Sequence, residues 1–290
     1  MKDTPDKTKM LAWITGAGGL IGSHIAAAAS VHAPQWRVRA LTRGDFDLSD
    51  FKEARRQFEL DRPKLVIHCA AISDPSQCET QPARTRLTNR EATFFLSCLA
   101  QDIPMIFFSS DLVFDGKSGN YTEEDKPAPL TIYARTKAEA EALVLANPLH
   151  SVVRTSLTAG QSPKGNRGIE EQLNLRWSKG KSVKLFSDEY RSPIAAECTA
   201  RAIWELASAK CPGLYHLGGR ERMSRLEIGL AVASRHPAWK AKIETSSIHE
   251  YDGPPRAADT SLDCTKLQRL LSFPLTGLRE WLTRGSMQQA

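Results

Sequence analysis

Tyr133 and Lys137, in the run Tyr133-Ala-Arg-Thr-Lys137, are the pair in this sequence whose types and spacing could do chemistry. Side chains four positions apart share one face of a helix, so a phenol and an ammonium stand side by side. A phenol is a weak acid at neutral pH until a neighbouring positive charge lowers its pKa. The plain alternative is two surface residues of an ordinary helix. Ser109-Ser110 closes an apolar run upstream and so falls at the carboxyl end of a strand. A hydroxyl, a phenol and an ammonium would then converge on one carbonyl at the edge of a sheet.

A second stretch supplies a place for a cofactor. Leu11 to Ile14 reads as a short buried strand running into a turn with Gly16, Gly19 and Gly22 three apart and Gly18 as an extra. Gly16 permits the sharp turn. Gly19 lets the backbone approach a pyrophosphate, and Gly22 lets the following helix pack closely on the sheet. Leu20 and Ile21 lie between them, and the helix through Ala26–Ala29 aims its free N–H groups and positive dipole end at the phosphates. A glycine-rich strand–helix turn with no ligand is the competing reading. With a nicotinamide bound there, the Tyr/Lys/Ser set would sit beside it, and Lys137 could also hold ribose hydroxyls. The second strand ends Thr42-Arg43-Gly44 rather than in an acid. An acid would hold a ribose 2′-hydroxyl and repel a 2′-phosphate, whereas Arg43 could pair with the phosphate. NADP(H) is therefore favoured, with NAD(H) as the alternative if Arg43 is merely solvated.

The elements that must position these groups alternate along the first half. Strands are expected at Arg37–Thr42, Lys64–Cys69, Met105–Ser109 and Ser151–Arg154, with helices at Phe51–Leu60, Pro82–Gln101 and Thr131–Ala146. The β-α-β order implies a parallel sheet with helices on both faces, and continuous apolar strands such as Lys64–His68 suit a sheet buried on both sides. The second half is less regular. A loop at Gly160–Gly168 precedes helices at Ile169–Lys179 and Ala196–Ala209, a strand at Val183–Phe186, a late strand at Gly213–Leu217 and a helix capped by Ser224. No linker separates two independent domains. The expectation is an α/β, doubly wound parallel sheet. Residues 1–9 form a flexible tail, 10–160 the dinucleotide-binding domain, and 161–290 a small C-terminal substrate-binding lobe interleaved with the main sheet. Ligands belong at the carboxyl end of the sheet, facing that lobe.

Bulk properties exclude other classes. The chain has 290 residues and a net charge of +6, from 39 basic and 33 acidic side chains spread along it. No basic arm, zinc-finger spacing or RNA-binding aromatic motif appears, which argues against nucleic-acid binding. The six cysteines form no CxxC pair, and Cys69 and Cys98 lie in apolar runs that suggest buried thiols in a reducing compartment. No apolar run approaches membrane-spanning length and the start is polar, so a cytoplasmic protein is expected. Glu123, Glu124 and Asp125 could hold Mg²⁺ or form a solvated loop; no metal site is assigned.

Taken together, the glycine turn, strand-end serine and Tyr-x-x-x-Lys pair resemble the extended branch of the short-chain dehydrogenase/reductase superfamily, which carries a Rossmann-type sheet. Within it the chain is most similar to the dTDP-4-dehydrorhamnose reductase family. The segment SSDLVFDGKSGNYTEEDKPAPLTIYARTKAEAE resembles that family's signature. VIHCAAISD, Leu87-Thr88-Asn89, Arg154-Thr155-Ser156, RSPIAAECTARAIWEL, YHLGG and SLDCTKL resemble further segments in order. The resemblance runs from about Met10 to about Arg284.

It implies that Tyr133 protonates a substrate carbonyl as hydride arrives, that Lys137 lowers the phenol pKa and binds the nicotinamide ribose, and that Ser110 hydrogen-bonds the carbonyl. It also implies that Asp47 and Leu48 lie near the adenine and that Ala70, Ala71 and Ile72 line the cofactor groove. Asn89 either serves the cofactor or bridges within the sheet. On the substrate side stand Ser110, Asp111 and Arg191, whose guanidinium could meet the diphosphate of a nucleotide sugar. Two features depart from the family pattern. Leu112 stands where a Tyr is usual, and Leu157-Thr158-Ala159-Gly160 replaces an aromatic pair around the sugar. Leu112 also denies a dehydratase its acid. The implied activity is an NADP(H)-dependent reductase of a 4-keto sugar nucleotide. A non-catalytic NADP-binding subunit like the regulatory subunit of methionine adenosyltransferase, or an epimerase, are the alternatives. The helices after the third and fourth strands could pair as a homodimer.

Overall fold

The computed structural model describes residues 9–287. Residues 1–8, most of the expected tail, and 288–290 lie outside the described residues. Six strands form one sheet: β1 (Met10–Thr15), β2 (Trp36–Leu41), β3 (Leu65–His68), β4 (Met105–Ser110), β5 (His150–Thr155) and β6 (Gly213–Leu217). Their order is β6-β5-β4-β3-β1-β2, and every pairing is parallel. The chain is thus a doubly wound α/β protein, with the strand order reversing between β1 and β3. That switch point opens a crevice at the carboxyl ends of the strands.

Strand side chains alternate between two cores. From β1, Ala12 and Ile14 join Ile25, Ile67, Phe108, Val153 and Trp204 on one face; Leu11 and Trp13 join Val66, Phe107, Val144 and Val152 on the other. The indoles of these two cores are satisfied: Trp13 donates to Asp61 at 2.7 Å and Trp204 to the Ile25 carbonyl at 2.8 Å. The strand Gly213–Leu217 returns from the C-terminal half to complete the sheet beside β5.

The helix expected over Pro82–Gln101 is broken into pieces. Asp74 caps a short helix at Pro75–Thr80, Pro82 starts another to Arg86, a π-turn spans Leu87–Glu91, and an α-helix runs Ala92–Leu99. Pro82 lacks the N–H that would continue the first piece. The wider π-turn admits one extra residue, and Asn89 sits in it fully buried. Cys98 is exposed rather than buried, because this last piece turns Leu96 and Ser97 inward instead. Cys69, just past β3, is partly exposed, and Cys78 is the buried thiol.

The lobe has its own core of Leu173, Trp177, Leu185, Met223, Ile228, Val232 and Leu282. The helix Arg225–Arg235 begins as expected at Ser224, which accepts from the Glu227 N–H at 3.1 Å while Glu227 accepts in return. Trp239 and Trp281 pack against this core, whereas Trp204 belongs to the main one. Among the described residues no helix is long and apolar enough to cross a membrane.

Candidate active site

The turn after β1 is built by close backbone approach. Gly16 has φ +69°, and a Cβ there would lie 2.7 Å from the Ala70 nitrogen; a Cβ on Gly22 would lie 2.6 Å from the Gly16 carbonyl oxygen. Gly19 N–H donates to that same carbonyl at 2.9 Å, and Gly19 begins the helix α1 (Leu20–His32) without any side-chain cap. The free N–H groups of this helix end therefore face a cleft of about 1160 Å³ that runs from the glycine turn across the strand ends to the lobe. A cradle that excludes side chains and offers backbone donors fits a dinucleotide pyrophosphate.

Leu20, Ile21, Arg43, Asp47, Leu48, Ala70 and Ala71 all line this cleft. Arg43 is exposed beside Asp45, whose carboxylate is turned back onto Thr42, accepting from its N–H at 2.8 Å and its hydroxyl at 2.7 Å. Those hydrogen bonds hold the Asp45 carboxyl below the ordinary range. Asp47 is held low in the same way by Ser49. Ile72 and Asn89 stand behind the wall. Asn89 accepts from the Ile72 N–H at 2.8 Å and donates to the Ile72 carbonyl at 2.9 Å, so its side chain braces the loop after β3.

At the other end of the cleft Ser110, Tyr133 and Lys137 come together. Ser110 ends β4, accepts from the Leu112 N–H at 3.2 Å and donates to Asp111 at 3.1 Å. Thr131 caps the helix α2 (Ile132–Leu145), which carries Tyr133 and Lys137 toward the strand end. Burial pushes the Tyr133 phenol up to about 12; its hydrogen bond with Ser110 and the nearby Arg191 pull against that rise, and Asp111 adds to it. The cation acting on the phenol is thus Arg191, where the sequence assigned that part to Lys137, and burial outweighs it so that the pKa rises instead of falling. Burial brings the Lys137 amine down to about 7, opposed by Glu141 and Cys69. Its Nζ lies 4.1 Å from the centre of the Phe107 ring.

Arg191 is not a free guanidinium waiting for a diphosphate. It is buried and grips Asp111 with two hydrogen bonds, at 2.6 and 2.5 Å. Asp111 is wholly buried and also accepts from Ser156 at 2.7 Å, while Ser156 accepts from the Ser192 N–H at 3.1 Å. Asp111 thereby joins the ends of β4 and β5 to the lobe, and its oxygens are spent on protein donors. Two of the three acidic residues at 123–125 are spent likewise: Asp125 accepts from Thr122, and Glu123 from the His216 N–H. Among the described residues no cluster of three or more His, Cys, Asp or Glu could hold a metal. His216 is buried, kept neutral and down at about 4 by burial and by Arg154, and its Nδ1 lies 3.0 Å from the Tyr121 carbonyl.

The lobe wall holds residues that no motif announced. Glu189, buried, accepts from Arg256 at 2.6 Å and lies 3.9 Å from Arg191. Arg225, whose pKa burial lowers to about 10, lines the cleft next to them with its Nη1 buried and without a hydrogen-bond partner. With Asp111 held by Arg191, three guanidinium groups face two carboxylates, which leaves a single net positive charge on this wall. Glu189, Arg225 and Arg256 come from three separate segments of the chain, so no local spacing could have grouped them.

The family model described as RmlD substrate binding domain matches residues 10–288. The chain is 30% identical over 278 residues to methionine adenosyltransferase 2 subunit beta of Xenopus laevis, covering 89% of this chain and 82% of that protein. It is 28% identical to the dTDP-4-dehydrorhamnose reductase of Sinorhizobium fredii, covering 92% and 93%. A solved dTDP-4-dehydrorhamnose reductase of Bacillus anthracis in complex with NADP superposes with a TM-score of 0.87 at 20% identity, over 97% of this chain and 99% of that one.

Proposed function

The chain belongs to the RmlD substrate binding domain family, and from that premise we propose that it is an NADP(H)-dependent reductase of a 4-keto nucleotide sugar. The observation that carries this reading is that Ser110, Tyr133 and Lys137 together line one end of a cleft whose other end is the glycine turn. A relative named as a dTDP-4-dehydrorhamnose reductase and a related structure holding NADP support it. The dinucleotide supplies the hydride. Ser110 orients the carbonyl and Tyr133 gives its proton to the carbonyl oxygen. Lys137 lies one turn on, where its ammonium can meet the ribose. With Arg191 committed to Asp111, Arg225 and Arg256 are the cations that would meet the substrate diphosphate. Thiols such as Cys69, Cys78 and Cys98 suit the cytoplasm, where we place the protein.

Consumption of NADPH with a panel of 4-keto nucleotide sugars tests the reading: turnover on at least one is expected, and absence of turnover across the panel ends it. Tight NADPH binding without turnover would favour the second reading, an NADP-binding regulatory subunit. The similarity to methionine adenosyltransferase 2 subunit beta supports that reading, as does a sugar wall carrying Leu112 and Leu157 instead of aromatic groups.

Arg43 is the group that would select the phosphorylated cofactor. A charge-assisted hydrogen bond contributes about 1.5–3 kcal/mol, so Arg43→Ala should raise KM for NADPH by roughly tenfold or more and leave KM for NADH nearly unchanged. Equal discrimination in both proteins would remove Arg43 from the account.

A further inference from the structure

The lobe side of the cleft carries an aromatic surface that the reaction does not use. Tyr251 is 41% exposed and lines the cleft. The backbone of Gly253 lies against its ring so closely that a Cβ there would stand 2.2 Å from the ring atoms. Phe186 packs edge-on, with centroids 5.6 Å apart at 74°. The Arg256 guanidinium sits 4.8 Å from the Phe186 ring and 5.1 Å from the Tyr251 ring, anchored by Glu189 at 2.6 Å. Pro254 and Pro255 stiffen the segment that follows. The ring is therefore held in place by its neighbours while the residue remains part-exposed on the cleft lining, next to an arginine pair with an unpaired buried donor on Arg225.

We propose that Tyr251 is a stacking platform for the base of the nucleotide sugar, with Arg225 and Arg256 beside it for the diphosphate. This rests on the reductase reading for the identity of the substrate. A planar base suits an exposed ring face, and guanidinium groups suit the phosphates that follow it. The adenine of the dinucleotide is excluded as occupant by place: Arg43, Asp47 and Leu48 lie past β2 at the far edge of the sheet, whereas Tyr251 belongs to the lobe.

Calorimetric titration of Tyr251→Ala and Tyr251→Phe with thymidine diphosphate, uridine diphosphate, inorganic pyrophosphate and NADPH tests the assignment. Base stacking on an aromatic ring is worth about 1–3 kcal/mol by alanine substitution, so Tyr251→Ala should weaken both nucleoside diphosphates by roughly 5- to 100-fold. Tyr251→Phe should bind them like the wild type, and affinity for pyrophosphate and NADPH should not change in either variant. Unchanged binding of both nucleoside diphosphates overturns the proposal, as does a parallel loss for pyrophosphate or NADPH, or a wild-type protein that binds neither nucleoside diphosphate. A wild type that binds thymidine diphosphate but reduces no keto sugar would end the reductase reading and leave the platform standing.

Discussion

Tyr133→Phe should lower kcat by about 10²- to 10⁴-fold while NADPH binds as in the wild type, the range expected when a positioned general acid is removed. The substitution deletes one oxygen and keeps the ring, so the packing of α2 against the cleft is preserved. In the proposed reaction the phenol carries the proton, and with its pKa pushed up to about 12 it is protonated throughout the neutral range. The sign favours reduction: the acid form is present at all working pH values, whereas oxidation in reverse needs the scarce phenolate. Ser110 alone cannot substitute, because an aliphatic hydroxyl is a far weaker acid than a phenol and can orient the carbonyl by a hydrogen bond without giving up its proton. Single-turnover measurement of NADPH oxidation separates the chemical step from product release. A Tyr133→Phe protein with wild-type single-turnover rate would sink the catalytic assignment.

The largest effect on stability is expected from Asp111→Ala. Its carboxylate is wholly buried and holds Arg191, itself only 6% exposed. Removing one partner of such a pair leaves an uncompensated buried charge, at a cost of about 3–5 kcal/mol. For a chain of this size that corresponds to a fall in Tm on the order of 10 °C. Asp111→Ala combined with Arg191→Met should recover most of the loss, since an ion pair and a well-packed apolar replacement of similar volume are often nearly equivalent in stability. Thermal and denaturant unfolding of the two variants make the comparison. A loss below about 1 kcal/mol for the single variant would mean that Asp111 does not fasten the lobe to the strand ends.

The amino-acid sequence by itself determined the features whose cause is local. Apolar runs such as Leu65–His68 and Met105–Phe108 can only be strands buried on both faces, and they are. Gly16 and Gly22 had to be glycines because the backbone passes within contact distance of itself, which their spacing already signalled. Tyr133 and Lys137 share a helix face by periodicity alone. Tertiary structure decided whatever depends on partners distant in the chain. Arg191 looked free until Asp111, 80 residues away, claimed the Nε/Nη2 edge of its guanidinium. Asn89 became a brace because a π-turn opened room for it against Ile72. Cys98 stayed exposed because its helix turned a different side inward. Arg225, Arg256 and Tyr251 met on one wall only when the lobe folded over the sheet. A charge or an aromatic ring acts through what surrounds it, and no spacing along the chain encodes neighbours that folding alone brings together.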